Sequence, residues 1–302
     1  MLYTGTRTAL CGLLICLLLA TGASAIVVQP NTNAAALTAA LVGSNPGLTI
    51  RSSSLQYCSV GTIVSCGTFT NESGTYGIGA GVVLSTGDVS CDGDGPNGDL
   101  SFAYSIVPEP ATNGLLASIT GLPYHLDCTR LDIVFDLEPG YDSIGIDAVF
   151  ASEEYPRYQF TGYNDGLGIY VNGENIAIVN GRCVNINNPE VVYVDGTGFN
   201  GVLAPDGIPL LRFYKYLGDG AQSNTLTIVI GDASDAILDT GAYLSNLRAQ
   251  PVPEPACAAA LGVGLAELTR SAVARRRYGA RSKCNASQSA ATSQPAPYRP
   301  RT

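Results

Sequence analysis

The residues of this chain best suited to chemistry are acids set beside glycines. The segment Cys91-Asp92-Gly93-Asp94-Gly95-Pro96-Asn97-Gly98-Asp99 places four oxygen-bearing side chains, Asp92, Asp94, Asn97 and Asp99, in a loop whose glycines permit tight turning. Calcium takes roughly six to eight oxygen ligands from carboxylates, amides and carbonyls, and such a loop can offer several. It is not an EF-hand, because the twelfth position counted from Asp92 is Ala103 and not Glu. The same residue types are also ordinary turn formers, so a solvated turn explains them equally well.

Further acids stand at Glu153-Glu154, Asn164-Asp165, Asp232, Asp235 and Asp239. The surrounding pattern puts them at strand ends, where the loops of a sheet protein converge. Neighbours on a strand point to opposite faces, so at most one of Glu153 and Glu154 faces any given site. Carboxylates gathered in one place repel unless a cation neutralises them, more so when partly buried. These residues therefore predict one or two calcium ions among Glu154, Asn164, Asp165, Asp232 and Asp235, with the 92–99 loop as a weaker second place.

Paired carboxylates can also cleave glycosidic bonds as acid and base. Glu153 or Glu154 with Asp165 or Asp232 are the candidates for that alternative, a secreted glycan-acting hydrolase or glycan-binding module. The absence of Trp argues against a rich aromatic sugar platform, and Tyr155, Tyr158, Tyr163 and Tyr170, which could stack on sugars, read first as sheet surface and core edge. The single His, His125, has no Ser or Cys motif beside it and reads as structural. A net charge of −9 argues against a nucleic-acid partner.

The elements that must hold these acids are strands. Leu131, Ile133, Phe135 and Leu137 alternate with polar residues, as do Ile144, Ile146, Ala148 and Phe150, and then Leu226, Ile228 and Ile230. Further strand-like runs are 48–52, 81–85, 166–171, 190–194, 210–217 and 242–247, separated by Gly, Asn, Asp and Pro. Many short strands with one apolar face require two packed sheets. The expected fold is all-β, a two-sheet β-sandwich of jelly-roll type, with one short N-terminal helix over 32–42 capped by Asn31 or Thr32. Of the nine cysteines, Cys58, Cys66, Cys91, Cys128 and Cys183 lie in the body; Cys58–Cys66 is the first candidate disulfide and Cys91–Cys128 the second.

Four segments in order resemble the choice-of-anchor L domain of bacterial surface proteins. They are Gly81-Val82-Val83-Leu84-Ser85-Thr86-Gly87, Val149-Phe150-Ala151-Ser152-Glu153-Glu154-Tyr155, Tyr163-Asn164-Asp165-Gly166-Leu167-Gly168-Ile169-Tyr170, and Ile230-Gly231-Asp232-Ala233-Ser234-Asp235 followed by Asp239-Thr240. The resemblance spans about residues 33–249. It implies a surface address with a C-terminal anchoring signal, and no defined reaction.

Both ends of the chain read as targeting segments. Residues 1–25 form a secretory signal, with Arg7, the apolar run Ala9–Ala20, and Ala23-Ser24-Ala25 before a cut at Ile26. Residues 26–250, the expected body, carry 23 acids and 7 bases, whereas residues 251–302 carry 2 and 8. That shift marks a boundary near Gln250. Just beyond it, Val252-Pro253-Glu254-Pro255, Ala256–Leu268 and Arg275-Arg276-Arg277 resemble a PEP-CTERM sorting signal over 251–277. The resemblance implies transient membrane contact and an exosortase-type processing protease, although Glu267 interrupts the apolar run and a basic tail, expected disordered, continues over 278–302. An internal copy, Val107-Pro108-Glu109-Pro110, lacks the apolar run and the arginines and is expected to be a surface loop. The whole predicts an exported, non-catalytic structural or adhesion protein of the cell envelope or extracellular matrix, calcium-stabilised, with exopolysaccharide or cell-surface glycans as candidate partners.

Overall fold

A computed structural model describes residues 26–252, apart from 96, 97, 99 and 195–197. The signal segment, the sorting signal from Pro253 onward, and the candidate ligands Asn97 and Asp99 lie outside the described residues. The chain divides into two units, Met1–Gln250 and Pro251–Thr302, and the first carries the sheets.

The body is mostly β and, among the described residues, forms a two-stranded hairpin, Ser59–Val60 with Ile63–Val64, and two large antiparallel sheets. One runs edge to edge as Ile26–Pro30, Cys66–Asn71, Gly81–Ser85, Thr240–Pro251, Tyr141–Ser152, Gly201–Leu203 and Val191–Tyr193, with Leu211–Tyr216 also paired to Tyr141–Ser152. The other runs as Ile178–Val179, Arg182–Asn185, Gly166–Val171, Asn224–Ala233, His125–Leu137 and Leu48–Gln56, with Glu174–Asn175 paired to Gly166–Val171. The alternating residues meet between the sheets: Leu131, Ile133, Phe135, Ile144, Ile146, Phe150, Leu226, Ile228 and Ile230 share one buried cluster. Period-two patterning with one apolar face requires that arrangement.

The N-terminal helix, α1, spans Ala34–Val42. Its cap is Asn33, one residue beyond the expected Thr32, and Asn33 Oδ1 accepts from the Ala36 amide at 3.0 Å. Leu37 and Leu41, one turn apart, are buried in the inter-sheet core. A second helix, α2, spans Pro110–Thr120, where the sequence pattern predicts none. The internal Val-Pro-Glu-Pro copy is therefore only partly a loop, since Pro110 opens α2, where its missing N–H costs nothing. Thr112, Leu116, Ile119 and Thr120 form the buried face of α2, a helical spacing masked by polar residues and too short to stand out.

That helix lies on the outer face of the second sheet, where Leu116 and Ile119 pack with Cys128, Tyr170 and Val229. The approach is close enough to demand glycine beneath it. A Cβ on Gly231 would lie 2.6 Å from both Leu116 Cδ1 and Cys128 Sγ. None of the described helices is long and apolar enough to cross a membrane.

The five body cysteines are free thiols, which corrects the expected disulfides. Cys58 is tied to Ser65, not to Cys66: its carbonyl accepts from the Ser65 amide at 3.1 Å, and its amide donates to Ser65 Oγ at 2.9 Å. Successive side chains diverge along an extended chain, so the Cys66 thiol points elsewhere. Cys66 Sγ turns toward the Asn31 carbonyl and Cys58 Sγ toward that of Cys128. Cys91 is exposed whereas Cys128 is buried under α2.

Gly231→Val should lower stability by about 1–3 kcal/mol, the range for overpacking a tight contact. A denaturant melt of the variant against the parent checks this; an unchanged midpoint would mean that α2 does not press on the sheet there.

Candidate functional site

The acids converge at one end of the body because the strands that carry them end together. Glu153 and Glu154 follow Ser152 at the end of a strand of the first sheet, and Asp239 precedes Thr240 at the start of its neighbour. Asp165 precedes Gly166 in the second sheet, beside Asp232 near the end of Asn224–Ala233. Asp92 follows the short turn Val89–Cys91, and Asp127 lies near the start of His125–Leu137. Asp92, Asp127, Glu153, Glu154, Asp165, Asp232 and Asp239 are all at most 2% exposed.

No ion pair among the described residues reaches Asp92, Asp127, Glu154, Asp165, Asp232 or Asp239. Burial of an unpaired carboxylate is so costly that the group keeps its proton or finds donors. Both solutions occur here. Asp127 takes the second, accepting from the amides of Ile106 at 2.7 Å, Tyr104 at 2.8 Å and Ser105 at 3.1 Å. A β-bulge sets this up: Thr129 and Leu126 stand opposite Ile230 and Asp232, so one extra residue of that strand turns out, and Asp127 adopts φ 48°.

Asp165 sits at the centre. Its Oδ1 accepts from the Ala233 amide at 2.9 Å and its Oδ2 lies 2.7 Å from Thr240 Oγ1. That hydroxyl also lies 2.8 Å from Ser152 Oγ, with Thr240 as the donor, so its single proton serves both Ser152 and the carboxylate. Asp165 and Asp232 are neighbouring buried carboxyls, and two such groups do not both ionise without a large cost. Burial first, and then neighbouring Asp165, push the Asp232 carboxyl well above its ordinary range, the Thr86 hydroxyl partly opposing them. Burial lifts Asp165 to about 7 against the donors just named. Glu154 rises to about 9, by burial and then by Asp165 and Asp235. Asp239, whose Oδ1 accepts from the Phe102 amide at 2.8 Å, is raised to about 6 by burial. It also presses on Gly87, where a Cβ would come within 1.9 Å of Asp239 Oδ2.

The predicted residues separate into groups. Glu154, Asp165, Asp232 and half-buried Asp235 share one electrostatic neighbourhood. Asn164 is occupied structurally: its Nδ2 donates to the Thr120 carbonyl at the end of α2 at 2.7 Å, and its Oδ1 accepts from the Asn187 amide at 3.1 Å. Asp92 is fully buried, and neither of its carboxylate oxygens has a hydrogen-bond partner. Nearby Ser85 lowers its pKa without reaching bonding geometry, and burial drives it well upward. Asp94 faces elsewhere, toward Ile26, Ser73 and Thr75. Among the described residues no three His, Cys, Asp or Glu side chains are grouped as a metal site.

Glu153 and Glu154 both lie in the turn after their strand, so strand alternation does not govern them. They nonetheless meet different neighbours, Glu153 accepting from Asn200 Nδ2 and Glu154 facing Asp165. Sequence reasoning misses Asp127, whose role depends on a bulge that no residue pattern announces. His125 is buried, with Nδ1 2.9 Å from Asn113 Oδ1 and Nε2 2.8 Å from Thr120 Oγ1, and burial lowers its pKa to about 4. It is a neutral tie to α2. Tyr170 is core, donating to the Leu115 carbonyl at 2.8 Å, while Tyr158 and Tyr163 meet edge to face.

A family model for the choice-of-anchor L domain matches residues 27–198, which takes in the acids from Asp92 to Asp165. This chain belongs to the choice-of-anchor L domain family. Membership makes it a cell-surface protein. No curated protein matches the chain. Two solved structures are similar to the domain. One is described as a carbohydrate-binding module specific for non-crystalline cellulose, 13% identical, covering 70% of this chain and 92% of that one at a TM-score of 0.29. The other is a module in complex with β-1,4-galactotriose, 12% identical, covering 43% and 68% at a TM-score of 0.19.

The raised acids bind protons in the folded state that the unfolded chain, with carboxyls near 4, has released. Stability contributed by these groups is thus full below about pH 4 and declines as pH rises through about 6, 7 and 9. In EDTA, the melting temperature should fall between pH 5 and pH 9. Asp232→Asn, which removes a buried titrating carboxyl beside Asp165, should flatten that fall. Asp165→Ala, which strands the Ala233 amide and Thr240 hydroxyl, should cost about 1–3 kcal/mol. A melting temperature that rises with pH over this window would contradict the account.

Proposed function

We propose that the domain is a non-catalytic structural or adhesion module, exported and held at the envelope or in the extracellular matrix, with its acid knot serving as a joint between the two sheets. The observation that carries this reading is the burial of the acids away from the surface hollows. Four hollows of roughly 290 to 400 Å³ are lined by other residues, and none by Glu153, Glu154, Asp165 or Asp232. A glycosidase needs two carboxyls facing substrate across an open groove. Here Asp165 is engaged by a backbone amide and a hydroxyl, and Glu154 and Asp232 are buried beside it.

Calcium is the finer part of the proposal. Glu154 Oε2 and Asp232 Oδ1 are buried without a hydrogen-bond partner. Calcium accepts hydroxyls and carbonyls beside carboxylates, so it need not draw on three acids at once. Removal of the leader before Ile26, processing at 251–277 by an exosortase-type protease, and retention by exopolysaccharide or surface glycans complete the proposed setting.

Two measurements test it. Melting in millimolar calcium should exceed melting in EDTA by several degrees, with calcium found by mass spectrometry; an unchanged midpoint and no bound ion would leave protons alone to hold the knot. Incubation with a panel of surface glycans should yield binding or nothing, and never cleavage. Release of sugars by the purified protein, lost in Glu154→Gln, would revive the hydrolase.

A further inference from the structure

We infer that the chain contains a built receptor for its own mature N-terminus: once the leader is removed, the α-ammonium group of Ile26 is held by Asp94. Three observations meet here. The Ala23-Ser24-Ala25 triplet marks the bond before Ile26 for a signal peptidase. The Ile26 nitrogen lies 3.0 Å from Asp94 Oδ2, and the Asp94 amide donates back to the Ile26 carbonyl at 3.3 Å. The second oxygen, Asp94 Oδ1, is buried and has no hydrogen-bond partner.

The third observation points to a ligand with more donors than a peptide amide provides. A peptide N–H is one donor, and Oδ2 already takes it together with the hydroxyls of Ser73 at 3.1 Å and Thr75 at 2.7 Å. Hydrolysis of the Ala25–Ile26 bond consumes one water, leaves a carboxylate on Ala25 and frees the amine of Ile26. That amine takes up a proton, its pKa being near 8, and presents three N–H groups and a positive charge. It can then serve both oxygens, turning a single neutral hydrogen bond into a charge-assisted pair.

The rest of Ile26 is fixed independently of the charge. Ile26 is 3% exposed in a cluster with Phe69, Val89, Phe199 and Tyr243, and its backbone, in the edge strand Ile26–Pro30, stands opposite Asn71 of Cys66–Asn71. The nitrogen is therefore presented at a set position, and Asp94 belongs to the same loop that the sequence offers as a metal site. In this role the acid answers an ammonium group of its own chain.

The test uses the chain from Ile26 to Thr302, released from a removable fusion so that Ile26 is the first residue, against the same chain beginning at Ala25. Each is made with Asp94 and with Asp94→Asn, and all four are melted in EDTA. The extra alanine should lower the midpoint by about 3–6 °C with Asp94 present, and leave it unchanged in Asp94→Asn. Equal shifts in both backgrounds, or none in either, overturn the proposal. If Asp94→Asn does not fold, acylation of the α-amine decides: it should be about tenfold slower in the native Ile26 protein than in the native Ala25 protein, and equal rates overturn it. The exported protein should begin at Ile26 by mass spectrometry, and any other start overturns it as well.

Discussion

The constraint on which the rest of the structure depends is the burial of Asp92, Asp127, Glu154, Asp165, Asp232 and Asp239 at the meeting point of two sheets, where no ion pair of the described residues reaches them. Leaving them charged and unpaired in that setting would cost more than the stability of most domains. The fold meets the cost by supplying local donors and by letting some acids keep protons. Asp127 consumes three amides of the 104–106 segment, and Asp239 the amide of Phe102. Asp165 draws on the Ala233 amide and the Thr240 hydroxyl, and burial beside Asp232 favours its protonated form. Each of these bonds crosses from one segment to another, so the acids pin chain ends and loops that regular sheet pairing leaves unattached.

Much of the sheet framework is legible in the sequence because its physics is local. Period-two runs such as Leu131–Leu137 and Ile144–Phe150 locate strands and say which side faces inward, and both fall within the observed strands. The alanines and leucines of 32–42 announce α1, although its cap is Asn33 and not the expected Asn31 or Thr32. Helix α2 is not legible, because its buried face is half threonine and its start coincides with a Pro-Glu-Pro segment that reads as a turn. The expected disulfides fail for a related reason. Cys58 and Cys66 look paired by spacing alone, but Ser65 and not Cys66 takes the position that bonds to Cys58.

The site is legible in identity and less so in role. Glu154, Asp232 and Asp235 each lie within electrostatic reach of Asp165, although no three acids among the described residues are grouped as a metal site. A sequence cannot distinguish an acid waiting for a metal from one satisfied by backbone amides, since that depends on where loops distant in the chain place their N–H groups. Asn164 illustrates this: it lies beside the acids and spends both polar atoms on Thr120 and Asn187. Asp127 shows the converse, an essential-looking member of the knot reached through a bulge and a left-handed backbone. Glycines and hydroxyls of the segments singled out in the sequence gain a physical reading here. Gly87 makes room for Asp239, Gly231 for α2, and Thr240 supplies the proton that Asp165 receives.

A pH titration of the carboxyl carbons by carbon-13 NMR, on metal-free protein, addresses the central claim most directly. The account predicts that at pH 7 at least one carboxyl of the Asp165–Asp232 pair, together with Glu154, still carries its proton. Titration of every carboxyl near pH 4 would contradict it.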